Sequence, residues 1–248
     1  MQWQDQGVVL GGRRFGESGL ILDVLTAKHG RRSGLVYGGA SRKKRVQFEP
    51  GNVIELAWSG RLENQLGRFD TAEAETLHAA QHLDNATALL AISSLAEILR
   101  QALDEGDDAG SAVYGPSLIV LEALSTEAIW PALYARWELG LLAALGFGLD
   151  LDQCALSGET TGLTHVSPNT GRAVQAEEAG DFVDRLFPLP AFLHRPESGA
   201  PSQDDILDGL TLTGHFLEQR LFAALHRGVP PVRARLVQRI AKTFNGRS

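Results

Sequence analysis

Four consecutive cations, Arg42-Lys43-Lys44-Arg45, follow Gly38-Gly39-Ala40-Ser41 and close on Val46-Gln47-Phe48. Like charges with no interleaved carboxylate cannot neutralise one another, so such a run stays solvated or meets an anionic partner. The chemistry it offers is charge screening, not bond making. Further cations fall where short strands would turn: Arg13-Arg14, Arg31-Arg32, Arg61 and Arg68. A second set, Arg220, Arg227, Arg233, Arg235, Arg239 and Lys242, gathers towards the far end of the chain. A cationic helix surface there takes DNA phosphate or an acidic peptide, and residue type alone does not separate the two.

Groups that could make or break bonds are thinly supported. There is no Gly-Lys-Ser/Thr of a P-loop, no G-x-G-x-x-G after a strand, no H-E-x-x-H and no G-x-S-x-G, so ATP-driven, dinucleotide, zinc-protease and hydrolase readings lose their usual signatures. His78 and His82 stand one helical turn apart near Glu75 and could hold a metal, but at a strand-to-helix junction they read better as capping and solvated residues. Asp204, Asp205 and Asp208 follow Ser202 and read as acids complementing a helix N-terminus. Cys154-Ala155-Leu156-Ser157-Gly158 has the outline of half a zinc knuckle, with Ser157 where a second thiolate would stand. One thiolate does not complete a tetrahedral site, so no zinc or other cofactor is expected, and Cys154 reads as a small buried residue.

Composition frames these choices. The chain has 248 residues, 44% hydrophobic and 21% charged, with a single cysteine and a net charge of −7. The average hides a segregation: residues 1–80 carry a net +2, 81–214 a net −15, and 215–248 a net +6. Separate basic and acidic surfaces suggest separate partners, unless the basic ends pack on the acidic middle and cancel. No apolar run approaches the roughly 20 residues that span a bilayer, and the opening Met1-Gln2-Trp3-Gln4-Asp5-Gln6 lacks a signal-peptide pattern. No membrane partner and a cytoplasmic, nucleoid-associated location are therefore expected.

The elements that would position the cations change character along the chain. Gly7-Val8-Val9-Leu10, Leu20 to Leu25, Leu35-Val36-Tyr37, Val53 to Trp58 and Leu66 to Phe69 are short and rich in β-branched or aromatic residues, with glycines between or at their ends, which predicts five strands. Five strands in so short a span fit a closed barrel of the OB type, with the Arg42–Arg45 run as a loop after the third strand. Ile54, Leu56 and Trp58 share one face, which puts Trp58 in the core. Phe15, Tyr37, Phe48 and Phe69 are candidates to stack on bases, each with a core placement as the alternative. From about Thr76 the period turns helical, with Leu89, Ile92, Leu95, Leu99 and Leu103 in one stripe. A flexible acidic loop, Asp104 to Gly110, is expected to follow, then helices near 112–126 and 129–145. A small β-hairpin insert lies at about 150–174, a short helix at 176–186, a long helix at 203–226 and a basic helix at 232–243. The division is an α+β chain: a nucleic-acid-binding barrel at 1–80 and a helical domain at 81–248.

Several segments together resemble the bacterial DNA repair protein RecO family. Arg14, Glu17-Ser18, Leu20-Ile21-Leu22, Thr26, Gly30-Arg31 and Gly38-Gly39-Ala40 leading into the basic run are similar to that family's N-terminal barrel. Arg136 through Phe147, followed by Asp152, Cys154 and Gly158, resembles its central signature. The resemblance implies an OB fold, a helical domain and a small insert. It also implies binding of single- and double-stranded DNA, annealing of complementary strands, and work with a RecR-type ring protein and the acidic tail of single-strand binding protein to load RecA recombinase onto gaps. The chain departs from zinc-bearing members at Ser157 and at the Pro168/Gly171 hairpin, which lacks the later pair of ligands. Two rivals remain: a protein-only adaptor whose basic ends bind acidic partners, and a metal-dependent nuclease.

Overall fold

The computed structural model describes residues 1–62, 66–195 and 198–246. Five strands, β1 (Gln2–Phe15), β2 (Gly19–Thr26), β3 (Gly30–Val36), β4 (Val53–Ser59) and β5 (Gly67–Thr76), close into a barrel in the order β1-β2-β3-β5-β4. All pairs are antiparallel except β3 with β5, which closes the barrel. This is the five-stranded OB-type arrangement that the strand pattern predicts. Alternation along β2 and β4 sends Leu22, Val24, Ile54, Leu56 and Trp58 inward, each no more than 3% exposed. The Trp58 indole N–H donates to Ser33 O at 3.2 Å, which satisfies its polar end inside the core.

Closure depends on two glycines that face each other. Gly34 and Gly67 are Cα partners in the parallel β3–β5 pair. A Cβ on Gly34 would sit 2.7 Å from the Phe69 ring, and one on Gly67 2.2 Å from Trp58. Any side chain at either position would displace a buried aromatic, so the barrel closes only where side chains are missing.

The first strand runs longer than its apolar segment predicts. Its polar opening, Gln2 to Gln6, pairs with β4, and Trp3 stacks on Trp58 at 5.4 Å and on His29 at 4.1 Å. The basic run is also not an extended loop: Arg42–Arg45 forms a helical turn, α1, which passes into a 3-10 turn at Val46–Phe48. Lysine and arginine are good helix formers, and none of the four is buried.

After β5 come α2 (His78–Gln81), α3 (Ala86–Ala102) and α4 (Asp108–Ala123). The caps explain the boundaries: the Asn85 side chain accepts from Thr87 N and Ala88 N, and Asp107 accepts from Ala109 N. The acidic connection between α3 and α4 is not a solvated loop. Glu105 accepts from Ser33 N at 2.7 Å, and Gly106 N donates to Arg31 O at 2.9 Å, so this segment lies along β3.

By packing, the chain forms two compact units, Met1–Ser125 with Pro230–Leu236, and Thr126–Val229 with Val237–Ser248. The change from strand to helix near residue 77 is a different boundary, because α3 and α4 group with the barrel. The second unit contains α5 (Trp130–Ala144), which starts with Pro131 in its first turn. The insert follows, with β6 (Leu163–Val166) and β7 (Ala173–Gln175) paired as the predicted hairpin. The short helix expected next is α6 (Ala176–Ala179) with a 3-10 segment, Gly180–Arg185. A two-residue strand, β8 (Phe187–Pro188), then adds a third strand against β6, which the sequence pattern does not signal. After α7 (Ala191–His194), α8 (Gln203–Phe216) opens on a Ser202/Asp205 capping box and continues through a π-helical segment, Leu217–Phe222. The last helix, α9 (Pro231–Asn245), buries Val232, Leu236, Ile240 and Phe244 along one face.

Candidate nucleic-acid interface

The mouth of the barrel carries an open groove of about 740 Å³. Its walls include Phe15 at the end of β1, Tyr37 just after β3, and Ser59, Leu66 and Arg68 at the ends of β4 and β5. In OB barrels this end, between the β1–β2 and β4–β5 connections, is where oligonucleotides lie. Phe15 is 51% exposed and Tyr37 69% exposed, so both rings are open to solvent on the same groove wall. Tyr37 and Arg68 also line an adjoining hollow of about 340 Å³ together with Lys44. The groove therefore runs from the aromatic mouth to the basic turn.

Of the four aromatic candidates, the structure separates two from two. Phe48 and Phe69 are 5% and 4% exposed and belong to the barrel core, which corrects their candidacy as base stackers. Leu66, about half exposed on the same rim, is a groove residue that a search for rings and cations passes over. Its signal was an apolar residue beside a glycine at a strand start.

The cations divide in the same way. Arg13, Arg14, Arg42, Lys43, Lys44, Arg45, Arg61 and Arg68 are exposed. Arg68 is partly engaged, 2.6 Å from Asp70 and donating to Ser59 Oγ at 3.0 Å. Within the basic turn the ion pair among described residues is Arg45 with Glu49, at 4.0 Å and well exposed. Arg31 and Arg32 do not join this set. Arg31 donates to Asp23 at 3.1 Å and to Leu103 O at 3.0 Å, and Arg32 is 7% exposed and internally partnered. Both are committed to packing β3 against the α3–α4 connection, which charge alone could not reveal.

The basic turn is held from below by a buried amide. Asn52, 1% exposed, donates through Nδ2 to Val46 O and Gln47 O at 3.0 and 3.2 Å, and its Oδ1 accepts from Ala79 N at 3.3 Å. A polar group so buried is stabilising only when paired, and here the amide ties the 3-10 turn that follows the cations to the start of α2. His78 and His82 lie near this junction, but at 5% and 8% exposure they are buried residues, not the solvated caps that the sequence suggests.

The second basic set is also smaller than its residue count. Arg220 lies over the Phe216 ring at 4.7 Å and donates to Gly148 O at 3.4 Å. Arg233 is 8% exposed, and both Arg233 and Arg227 have partners. Arg235, Arg239 and Lys242 remain, exposed and spaced to share one face of α9. In the insert, Cys154 is 1% exposed and its Sγ accepts from Gln175 N at 3.4 Å. Burial pushes its thiol up, but hydrogen bonds with Ser157, Gln175 and Leu156 outweigh this and hold it at about 7. Ser157 donates to the Gln175 side chain at 2.7 Å. Among the described residues no group of three or more His, Cys, Asp or Glu side chains could hold a metal ion. No described helix is long and apolar enough to cross a membrane.

Comparison with known proteins covers both halves of the chain. Residues 1–77 match the family model for the recombination protein O N terminal, and residues 83–227 match that for the recombination protein O C terminal. The DNA repair protein RecO of Hyphomonas neptunium is 61% identical over 240 residues, covering 97% of this chain and 98% of that protein. That of Methylorubrum extorquens is 42% identical over 242 residues, covering 96% and 97%. That of a Ruegeria species is 42% identical over 243 residues, covering 98% and 99%.

Proposed function

This chain belongs to the RecO family, proteins of DNA repair and recombination, and on that premise we propose that it is a non-enzymatic recombination mediator that holds a DNA strand across the mouth of its barrel. The observation that carries the reading is the groove that joins two exposed rings, Phe15 and Tyr37, to Arg68 and Lys44. Rings offer a face to any base, and cations track the phosphates, so the site suits single strands without regard to sequence. Arg13, Arg14, Arg61 and the rest of the basic turn extend the electrostatic surface. Duplex binds through the same phosphate term. Annealing follows from screening the repulsion between strands, and no metal and no covalent step enters.

The family also suggests the acidic tail of single-strand binding protein, a RecR-type ring protein and, indirectly, RecA recombinase as partners. The exposed stripe Arg235, Arg239 and Lys242 has charge that suits an acidic tail. Changing Arg42, Lys43, Lys44 and Arg45 to alanine tests the strand reading. We expect the slope of log affinity against log salt for single strands to flatten by up to about 3, at about 0.7 per phosphate contact. An unchanged slope removes the basic turn from the site.

A further inference from the structure

The helical turn α1 is a ridge with a groove on either side. Lys44 lines the hollow that contains Tyr37 and Arg68. Its neighbour Arg45 lines a second groove of about 290 Å³, walled by Gly11, Gly12, Glu49, Glu97 and Arg100. All of these residues belong to the first compact unit. The two grooves share no lining residue, so the ridge lends a different cation to each.

The second groove has the features of a phosphate track. Part of its wall is glycine main chain, with the Leu20 side chain packed against Gly12 and Arg100 Cδ 3.9 Å from where a Gly11 Cβ would stand. β1 pairs with β4 as far as Val8, Val9 exchanges backbone hydrogen bonds with Gly51 and Asn52, and from Gly11 onwards the strand pairs with β2. No described strand takes the other edge of β1 at Gly11 and Gly12. An approaching backbone can come close at Gly11, which presents no side chain of its own. The groove also carries two arginines, each next to a carboxylate. Glu97 grips Arg100 through Nε and Nη2 at 2.8 to 3.1 Å, and Arg45 stands 4.0 Å from Glu49. Both pairs are substantially exposed. The long, exposed Arg45–Glu49 pair holds its guanidinium weakly, whereas the bidentate Glu97 contact holds Arg100 more firmly. A phosphodiester offers arginine the same two-oxygen fork, so it can compete with the carboxylate for either guanidinium.

We propose that this second groove holds the phosphates of a second nucleic-acid strand, with Arg45 and Arg100 as its cations, while a first strand lies at the barrel mouth. The inference rests on the barrel-mouth reading and extends it: two backbones are held on opposite flanks of one cationic ridge, where their mutual repulsion is screened as complementary bases meet. Glu97 acts as a brake in this arrangement. It occupies the guanidinium until the second strand competes for it, so the second groove binds weakly and lets the duplex go.

The test uses the full chain and two assays, affinity for a labelled single strand and the rate at which a complementary strand anneals to it. Arg100→Ala should leave first-strand affinity within about twofold and slow annealing by about tenfold, the loss of one phosphate contact. Glu97→Gln should also leave the first strand unchanged but speed annealing, and this gain should vanish in the double variant. Opposite signs from neighbouring positions cannot come from a shared loss of fold. If the parent chain binds and anneals but both variants match it, this inference fails and the barrel-mouth reading stands. If the parent chain binds no single strand, both fail. Annealing that ignores Arg100 while capture of polyglutamate depends on it overturns the inference in favour of an acidic partner.

Discussion

Arg31-Arg32 and Arg42–Arg45 sit in one barrel, each just after a glycine-marked turn, and the fold uses them in opposite ways. Arg31 spends its donors on Asp23 and on the carbonyl of Leu103, and Arg32 is buried. The four residues of α1 are all exposed, with one long ion pair to Glu49. The difference lies in what covers each backbone. β3 runs beneath the α3–α4 connection, whose Glu105 and Gly106 bond to Ser33 and Arg31, whereas α1 projects outward on a 3-10 turn fixed by Asn52. The aromatics split likewise, Phe48 and Phe69 inward and Phe15 and Tyr37 outward. Residue type fixes what a side chain can do, and cover decides whether it serves the fold or a partner.

Substitutions can break this contrast. The largest effect is expected at Phe48→Ala, which should cost about 3–5 kcal/mol of stability, read by chemical denaturation, as for other truncated core rings. A Phe48→Ala chain as stable as the parent would remove Phe48 from the inner set. Arg31→Ala comes next, at about 1.5–3 kcal/mol for a partly buried charged hydrogen-bonding group, with strand affinity of the folded fraction unchanged. The quadruple alanine variant of α1 should do the reverse, leaving stability within about 0.5 kcal/mol. If Arg31→Ala weakens strand binding as much as it weakens folding, the two basic runs are not different in kind. At the mouth, Phe15→Ala and Tyr37→Ala should each weaken single-strand binding by about 1–3 kcal/mol, the range for a lost base stack, without lowering the melting temperature.

The smallest effect sharpens the same contrast through pH. Burial holds His78 below the ordinary histidine value of 6.5, and the charge of His82 adds to this against an opposing pull from Glu122; burial also holds His82 low. A histidine with a depressed folded value contributes stability that is present above pH 6.5 and is lost as pH falls from 6.5 towards that folded value. Melting temperature should therefore drop by a few degrees between about pH 7.5 and about pH 5.5, and by less in His78→Gln. Equal drops would mean that this junction is not where protons enter.

Much of the fold was legible in the residues. Period-2 segments separated by glycines predict the five strands, and the stripe from Leu89 to Leu103 predicts α3. The polar stretch Gln2 to Gln6 hid the opening of β1, because a strand at a barrel rim needs no apolar alternation when its pairing with β4 and the Trp3 stack hold it. Two-residue β8 carries too few side chains to show any period. For the candidate site, the exposed cations were legible as a class, but neither Leu66 nor Arg100 was marked by any run or motif.

By itself, the sequence determined the barrel-then-helix order, the inward Trp58, the single thiolate of the insert, and the membership of the family. Those follow from local period, residue count and motif order, which do not depend on what packs against what. Tertiary structure decided which arginines and rings face outward. Each strand has two faces, and register and bulges, such as those between Val9 and Gly11 and between Ala57 and Trp58, fix which one is covered. A guanidinium or a ring suits either side until the barrel closes at Gly34 and Gly67 and the α3–α4 connection comes down on β3.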